Sequence, residues 1–188
     1  DFGMFQGRKD IRQRNWTDPE FPAPQMEAVI VTHTHLDHIG RIPRLVKNGF
    51  KGPIFCTPPT VELAEVLLKD AAHLQMEDAE YLNRKGFTSH KPALPLFDDQ
   101  DVERALRLFV PVPLGRTHLA APGISFRFRE AGHLLGAGSV ELEVGAADGM
   151  KRKLFFSGDV GRYNAVLAKD PDPCPDADYV VMESTYGN

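Results

Sequence analysis

The sequence predicts a layered α/β fold, and three observations carry that expectation. Short apolar runs of strand type recur at residues 28–32, 124–129, 154–156 and 178–182. Between the first two lie stretches whose apolar residues return at helical spacing. Metal-binding residue types follow directly after three of the strand runs. Strands separated by helices, with functional groups on the loops at strand ends, define this class.

The first run, Ala28-Val29-Ile30-Val31-Thr32, is apolar and β-branched, as expected for a buried strand. His33-Thr34-His35-Leu36-Asp37-His38 follows it at once. Side chains two apart share a strand face, so His33 and His35 are expected to converge at the strand's carboxyl end. Asp37 and His38 are adjacent and would point to opposite faces of a continuing strand. A turn is therefore expected, with Gly40 and Pro43 as its break, aiming both residues at a second ion beside the first.

Further along, Val61, Leu63, Ala64, Leu67, Leu68 and Ala71 recur near helical period, predicting a helix over 60–74 that starts after Pro58-Pro59. A second amphipathic stretch, 77–85, ends at Gly86, and residues 87–97, with Pro92 and Pro95, read as an exposed connection. Asp98 or Asp99 is expected to cap a short helix over 101–108, and Val110-Pro111-Val112-Pro113 to lead into a turn. Residues 124–129 alternate with period two and deliver His133, while 154–156 deliver Ser157-Gly158-Asp159. Pro171, Pro173 and Pro175 mark an extended loop before the last strand.

The residue types fit a dinuclear metal site. Neutral imidazole suits zinc, and a hard carboxylate oxygen helps hold two nearby cations and offsets their charge. His73, His90 and His118 lie outside the motifs and read as surface or packing residues. Thr34 and Ser139 read as ordinary strand hydroxyls.

At this point the chain resembles the metallo-β-lactamase superfamily, whose signature is His-X-His-X-Asp-His, then a distant His and a distant Asp. Segments 1–7, 35–43, 131–139, 156–162 and 183–188 further resemble its RNA-processing β-CASP branch, the last through Glu183-Ser184-Thr185-Tyr186-Gly187. The resemblance implies an αββα sandwich of two mixed sheets flanked by helices, with the metals at one edge. It implies that His33, His35 and His133 hold one zinc, that Asp37 and His38 hold the other, and that Asp159 bridges. Asp1 would orient the histidine loop without touching metal, Asp37 would take or relay the nucleophile's proton, and Glu183 would be a catalytic carboxylate near the ions. The implied activity is a zinc-dependent ribonuclease, endo- or exonucleolytic, with two Zn2+ activating the attacking water. RNA is the implied partner, in a homodimer or an RNA-processing complex.

Two other readings compete with it: a metallo-hydrolase acting on another ester, such as a DNA phosphodiester, a thioester or a lactam, and a non-catalytic scaffold subunit of an RNA-processing complex. Against the family pattern, residues 1–182 are expected to be a partial catalytic domain without its first strands. Residues 183–188 are expected to begin a β-CASP domain, with all but one of the family's metal ligands present.

Composition agrees with one globular unit: 188 residues, 42% hydrophobic and 26% charged. Two cysteines, Cys56 and Cys174, argue against a disulfide scaffold and for a reducing, cytoplasmic setting. No apolar stretch is long enough to cross a bilayer. The net charge of −4 does not announce a polyanion-binding protein. Two local basic clusters, Arg41, Arg44, Lys47 and Lys51, and Arg8, Lys9, Arg12 and Arg14, read either as local positive charge at a cleft or as ordinary solvated helix or loop faces.

Overall fold

The computed structural model describes residues 1–188 apart from 88–90, 147, 186 and 188. Two sheets pack face to face. The first is parallel, in the order β1 (Val29–Ile30), β2 (Ile54–Cys56), β3 (Phe109–Pro111). The second contains β4 (Thr117–Ala121), β5 (Ile124–Glu130), β6 (Gly138–Gly145), β7 (Lys151–Phe156) and β8 (Tyr179–Val181), antiparallel except for the β7–β8 pair. Helices α3 (Ile42–Lys47), α4 (Pro58–Lys85) and α5 (Asp99–Leu106) contribute to the core on the other face of the first sheet.

Burial explains the strand chemistry. Ile54, Phe55 and Cys56 are all buried, as a parallel strand covered on both faces requires. In β5, Phe126 and Phe128 point inward while Ser125, Arg127 and Arg129 alternate with them on the opposite face, and Arg127 and Arg129 share Glu141 at 2.7 and 2.8 Å. Phe126 and Phe128 meet Phe55, Val112 and Val140 between the sheets. Each ring buried there stabilises the fold by roughly 2–3 kcal/mol.

The helices differ from expectation in an instructive way. The two stretches expected over 60–74 and 77–85 form one helix of 28 residues, α4, opened by Pro58 and Pro59 and ended by Gly86 in the left-handed region at φ 68°. Nothing between residues 74 and 77 breaks helical geometry, so continuity wins. Asp98 caps α5 in a reciprocal box with Asp101, and the helix begins and ends two residues earlier than expected. Val110 and Pro111 belong to β3 rather than to a turn approach, because Pro111 sits where the edge strand ends. Within the described residues of the expected exposed connection, Ala93, Leu96 and Phe97 are buried. Residues 88–90, including His90, lie outside the described part.

Candidate metal centre

Strand β1 stops at Ile30, two residues short of the expected run, and residues 31–35 continue as extended chain without ladder partners on both sides. His35 then serves as the N-cap of the short helix α2 (Leu36–Ile39). The break after His35 is thus a helix and not a turn. Gly40 closes α2, and Pro43 stands in the first turn of α3, where its missing N–H goes unnoticed.

This path brings the first donor group together. His33 Nε2 is 3.0 Å from His35 Nδ1, and His133 Nε2 is 3.2 Å from the same atom. Asp159 Oδ2 lies 3.5 Å from both His33 Nε2 and His133 Nε2. One donor atom from each of these four residues falls within 4.8 Å of every other. The four separations of 3.0–3.5 Å lie close to the edges of about 3.3–3.4 Å that a tetrahedral ion with bonds of about 2.0–2.1 Å requires, so these residues could hold a divalent metal ion.

A second group begins on the other side of Asp159. Its Oδ1 is 3.2 Å from His38 Nε2, while His38 Nδ1 is 2.8 Å from Asp1 Oδ2. Donation from Nδ1–H to Asp1 leaves the Nε2 lone pair facing Asp159. Asp1 is held in turn by the Thr32 backbone N–H at 2.7 Å and the Thr32 hydroxyl at 2.8 Å. It therefore acts on the histidine loop from behind, in line with the role that the resemblance implies for it. Asp37 is on the exposed side of α2, adjacent to His38 but outside this close group, and makes no side-chain hydrogen bond or ion pair among the described residues.

The loops carrying these donors are tied to one another. Gly161 N–H donates to Ala131 O at 2.8 Å, and a Cβ at Gly161 would lie 1.7 Å from Gly132 O, so only glycine lets the Asp159 and His133 segments approach. On the far side of His133, the carbonyl of Gly136 accepts from the buried hydroxyls of Thr57 at 2.5 Å and Thr60 at 3.0 Å. Sequence reading missed this pair. Thr-Pro-Pro-Thr is a visible helix start, but nothing in it names Gly136 as a partner. Ser139 is no idle strand hydroxyl either, since it donates to Ser157 O at 2.8 Å. Glu183 Oε1 accepts from Val160 N–H at 2.7 Å, just past Asp159, and its own N–H donates to Ser157 Oγ at 3.0 Å. Beside the donors an open cleft of about 850 Å³ is bounded by His133, Asp159, Arg162, Leu167, Glu183 and Thr185, among others.

Burial, followed by repulsion from His38, His35 and His133, pushes the His33 imidazole down to about 2. His33 is therefore a neutral donor at any ordinary pH. Cys56 is buried, which pushes its thiol up to about 12, and Cys174 is exposed and unpaired. Both are free cysteines.

The expected basic clusters mostly serve the fold. Arg41 packs over Phe2 at 4.7 Å and donates to Thr17 O at 2.5 Å, while Arg44 packs over Trp16 at 5.3 Å and donates to Trp16 O at 2.8 Å. Lys47 pairs with the buried Asp101 at 2.7 Å. These contacts fasten the opening segment and α5 to α3. In the other cluster Arg8 pairs with Asp10, and Arg14 lies over Phe5 at 4.4 Å. His73 pairs with Glu77, and His118 packs against the Phe55 ring at 4.9 Å, both away from the centre.

Among known proteins, Ribonuclease TTHA0252 of Thermus thermophilus is 37% identical over 188 residues, covering 100% of this chain and 38% of that protein. Transcription termination factor FttA of Methanocaldococcus jannaschii is 31% identical over 189 residues, covering 100% and 27%. The chain thus spans well under half the length of these curated relatives. A solved structure of metallo-beta-lactamase SMB-1 is 16% identical with a TM-score of 0.46, covering 83% of this chain and 51% of that one. No described helix is long and apolar enough to cross a membrane. The Metallo-beta-lactamase superfamily model matches residues 1–185, the stretch that brings His33, His35, His133 and Asp159 together, and the chain belongs to that superfamily.

Proposed function

We propose that this chain is the catalytic part of a two-zinc ribonuclease of the β-CASP branch, hydrolysing RNA phosphodiester bonds. The observation that carries the reading is Asp159, which turns Oδ2 toward His33 and His133 at 3.5 Å and Oδ1 toward His38 at 3.2 Å. A carboxylate so divided is suited to bridge two cations. The 37% identity to a protein named as a ribonuclease, along the whole chain, supports RNA over a thioester or lactam.

His33, His35 and His133 would hold one zinc, His38 and Asp37 the other, and Asp159 both. Zinc ions bound there would supply Lewis acidity and lower the pKa of the attacking water. The protein's own work is positional. Asp1 fixes the ring of His38 through Nδ1, and Glu183 fixes the Asp159 loop through Val160 N–H. Asp37, exposed beside His38, would, besides holding zinc, take or relay the proton of the attacking water. Glu183, at the cleft wall, would face substrate or its proton traffic.

Residues 1–182 would form the metal-binding domain and 183–188 the start of a β-CASP domain, in a cytoplasmic protein that works as a homodimer or within an RNA-processing complex. The test is cleavage of labelled RNA and of matched DNA by the full-length protein, with and without a zinc chelator, alongside His35→Ala and Asp37→Ala. The reading expects RNA cleavage that chelation and both substitutions abolish. Cleavage that survives complete removal of zinc would rule it out, and a preference for DNA would favour the other diester.

A further inference from the structure

Among the described residues, the cleft beside the metal donors contains one arginine to which no hydrogen bond or ion pair is made. Among its described lining residues Arg162 is the sole lysine or arginine, three positions beyond Asp159 and exposed. Its neighbours of opposite charge are already committed: Asp159 faces the histidines, and Glu183 accepts from Val160 N–H. Among the described residues no hydrogen bond or ion pair is made to the Arg162 side chain. By contrast Arg41, Arg44, Arg127 and Arg129 are all bound to carbonyls or carboxylates.

Across the same cleft the chain displays an apolar tip. Val166 is 92% exposed and Leu167 100% exposed, and both line the cleft. Bare aliphatic side chains beside an unpaired guanidinium match the two faces of a single nucleic-acid strand, a charged backbone and apolar bases. A guanidinium also matches phosphate geometry in a way that a lysine does not.

We propose that Arg162 is the phosphate-binding residue of a substrate subsite next to the metal centre, holding the backbone phosphate of a single strand while Val166 and Leu167 support its bases. This rests on the nuclease reading and adds to it the residue that positions the strand. Arg162 makes no hydrogen bond or ion pair with His33, His35, His133 or Asp159 among the described residues, so the subsite is expected to be separable from metal binding. Its contact is with the backbone, so it is expected to be indifferent to base sequence.

The test is fluorescence anisotropy of a labelled single-stranded RNA with hydrolysis-resistant phosphorothioate linkages and the zinc-loaded full-length protein, as wild type, Arg162→Ala, Arg162→Lys and, away from the cleft, Arg116→Ala. Zinc content is measured in each. Arg162→Ala is expected to bind about tenfold more weakly with zinc content unchanged, and to lower the slope of log K against log salt by about 0.7, the share of one single-strand phosphate contact. Arg162→Lys is expected to recover the slope but only part of the affinity, and Arg116→Ala to match wild type. If wild type binds RNA and Arg162→Ala binds it equally well, the subsite is overturned and the nuclease reading stands. Should wild type carry zinc yet bind no RNA, both fall.

Discussion

The Thr57 hydroxyl donates to the carbonyl of Gly136 at 2.5 Å, although Thr57 is the N-cap of α4 and would ordinarily turn its side chain to the helix's own N–H groups. Helix capping has been given up for a contact three residues beyond His133. Thr60 adds a second hydroxyl at 3.0 Å. Together they fix the end of the His133 loop against the first turn of the longest helix.

Removing these hydroxyls while keeping shape, as Thr57→Val with Thr60→Val, should loosen His133. Zinc affinity is expected to fall about tenfold or more, as for other groups that orient ligands from behind. Competition against a chromophoric chelator measures it, and Thr57→Ser should restore most of the loss. Unchanged affinity in the double variant would show the loop is held by its backbone alone.

Asp1 acts on the opposite side through His38. Asp1→Asn keeps the size but no longer obliges His38 to carry its proton on Nδ1. The second zinc is expected to bind roughly 10–100-fold more weakly while the first is little changed. Metal content after dialysis against graded zinc separates the two sites, and an equal loss from both would contradict the assignment.

Gly161→Ala tests the seam between the His133 and Asp159 segments. The added methyl would meet Gly132 O at 1.7 Å, so the two loops must part. A loss of about 3 kcal/mol of stability is expected, read by urea denaturation, together with weaker zinc binding. A variant as stable as wild type would mean the seam is more compliant than drawn.

Asp101 gives a pH dependence that owes nothing to metal. Burial works to raise its carboxyl, but hydrogen bonds from Lys47 and Arg104 overcome this and leave it below the ordinary carboxylate value. A depressed folded value means stability that is present above about pH 4 and lost as pH falls through the folded value. Asp101→Asn should therefore cost about 2 kcal/mol at pH 7, with the gap closing as pH falls below the ordinary carboxylate value. Thermal melts of both proteins across pH 2–7 would expose a gap that fails to close.

Much of the centre was legible because each donor follows a strand whose pattern is itself legible. The alternation Phe126, Arg127, Phe128, Arg129 announces β5, and β5 delivers His133. Local pattern could not reveal how the histidine motif turns. His35 ends the extended chain and caps α2, and its ring is placed by the donors around it, none of which is close in sequence except His33. The basic clusters were ambiguous in sequence for a related reason. Charge in sequence does not say whether an arginine faces solvent, and Arg41 is 6% exposed, stacked on Phe2. Nor did Pro111 announce a strand. Its neighbours on β2 determine that, and they lie more than fifty residues away.

The central claim is that separate stretches of this chain surround a pair of ions divided by one aspartate. An anomalous-difference map at the zinc edge, from crystals grown with zinc, tests it most directly. Two peaks about 3.5–4 Å apart are expected, one among His33, His35 and His133 and one beside His38, with Asp159 between them. A map with no peak among these side chains, or with its zinc elsewhere on the surface, would contradict it.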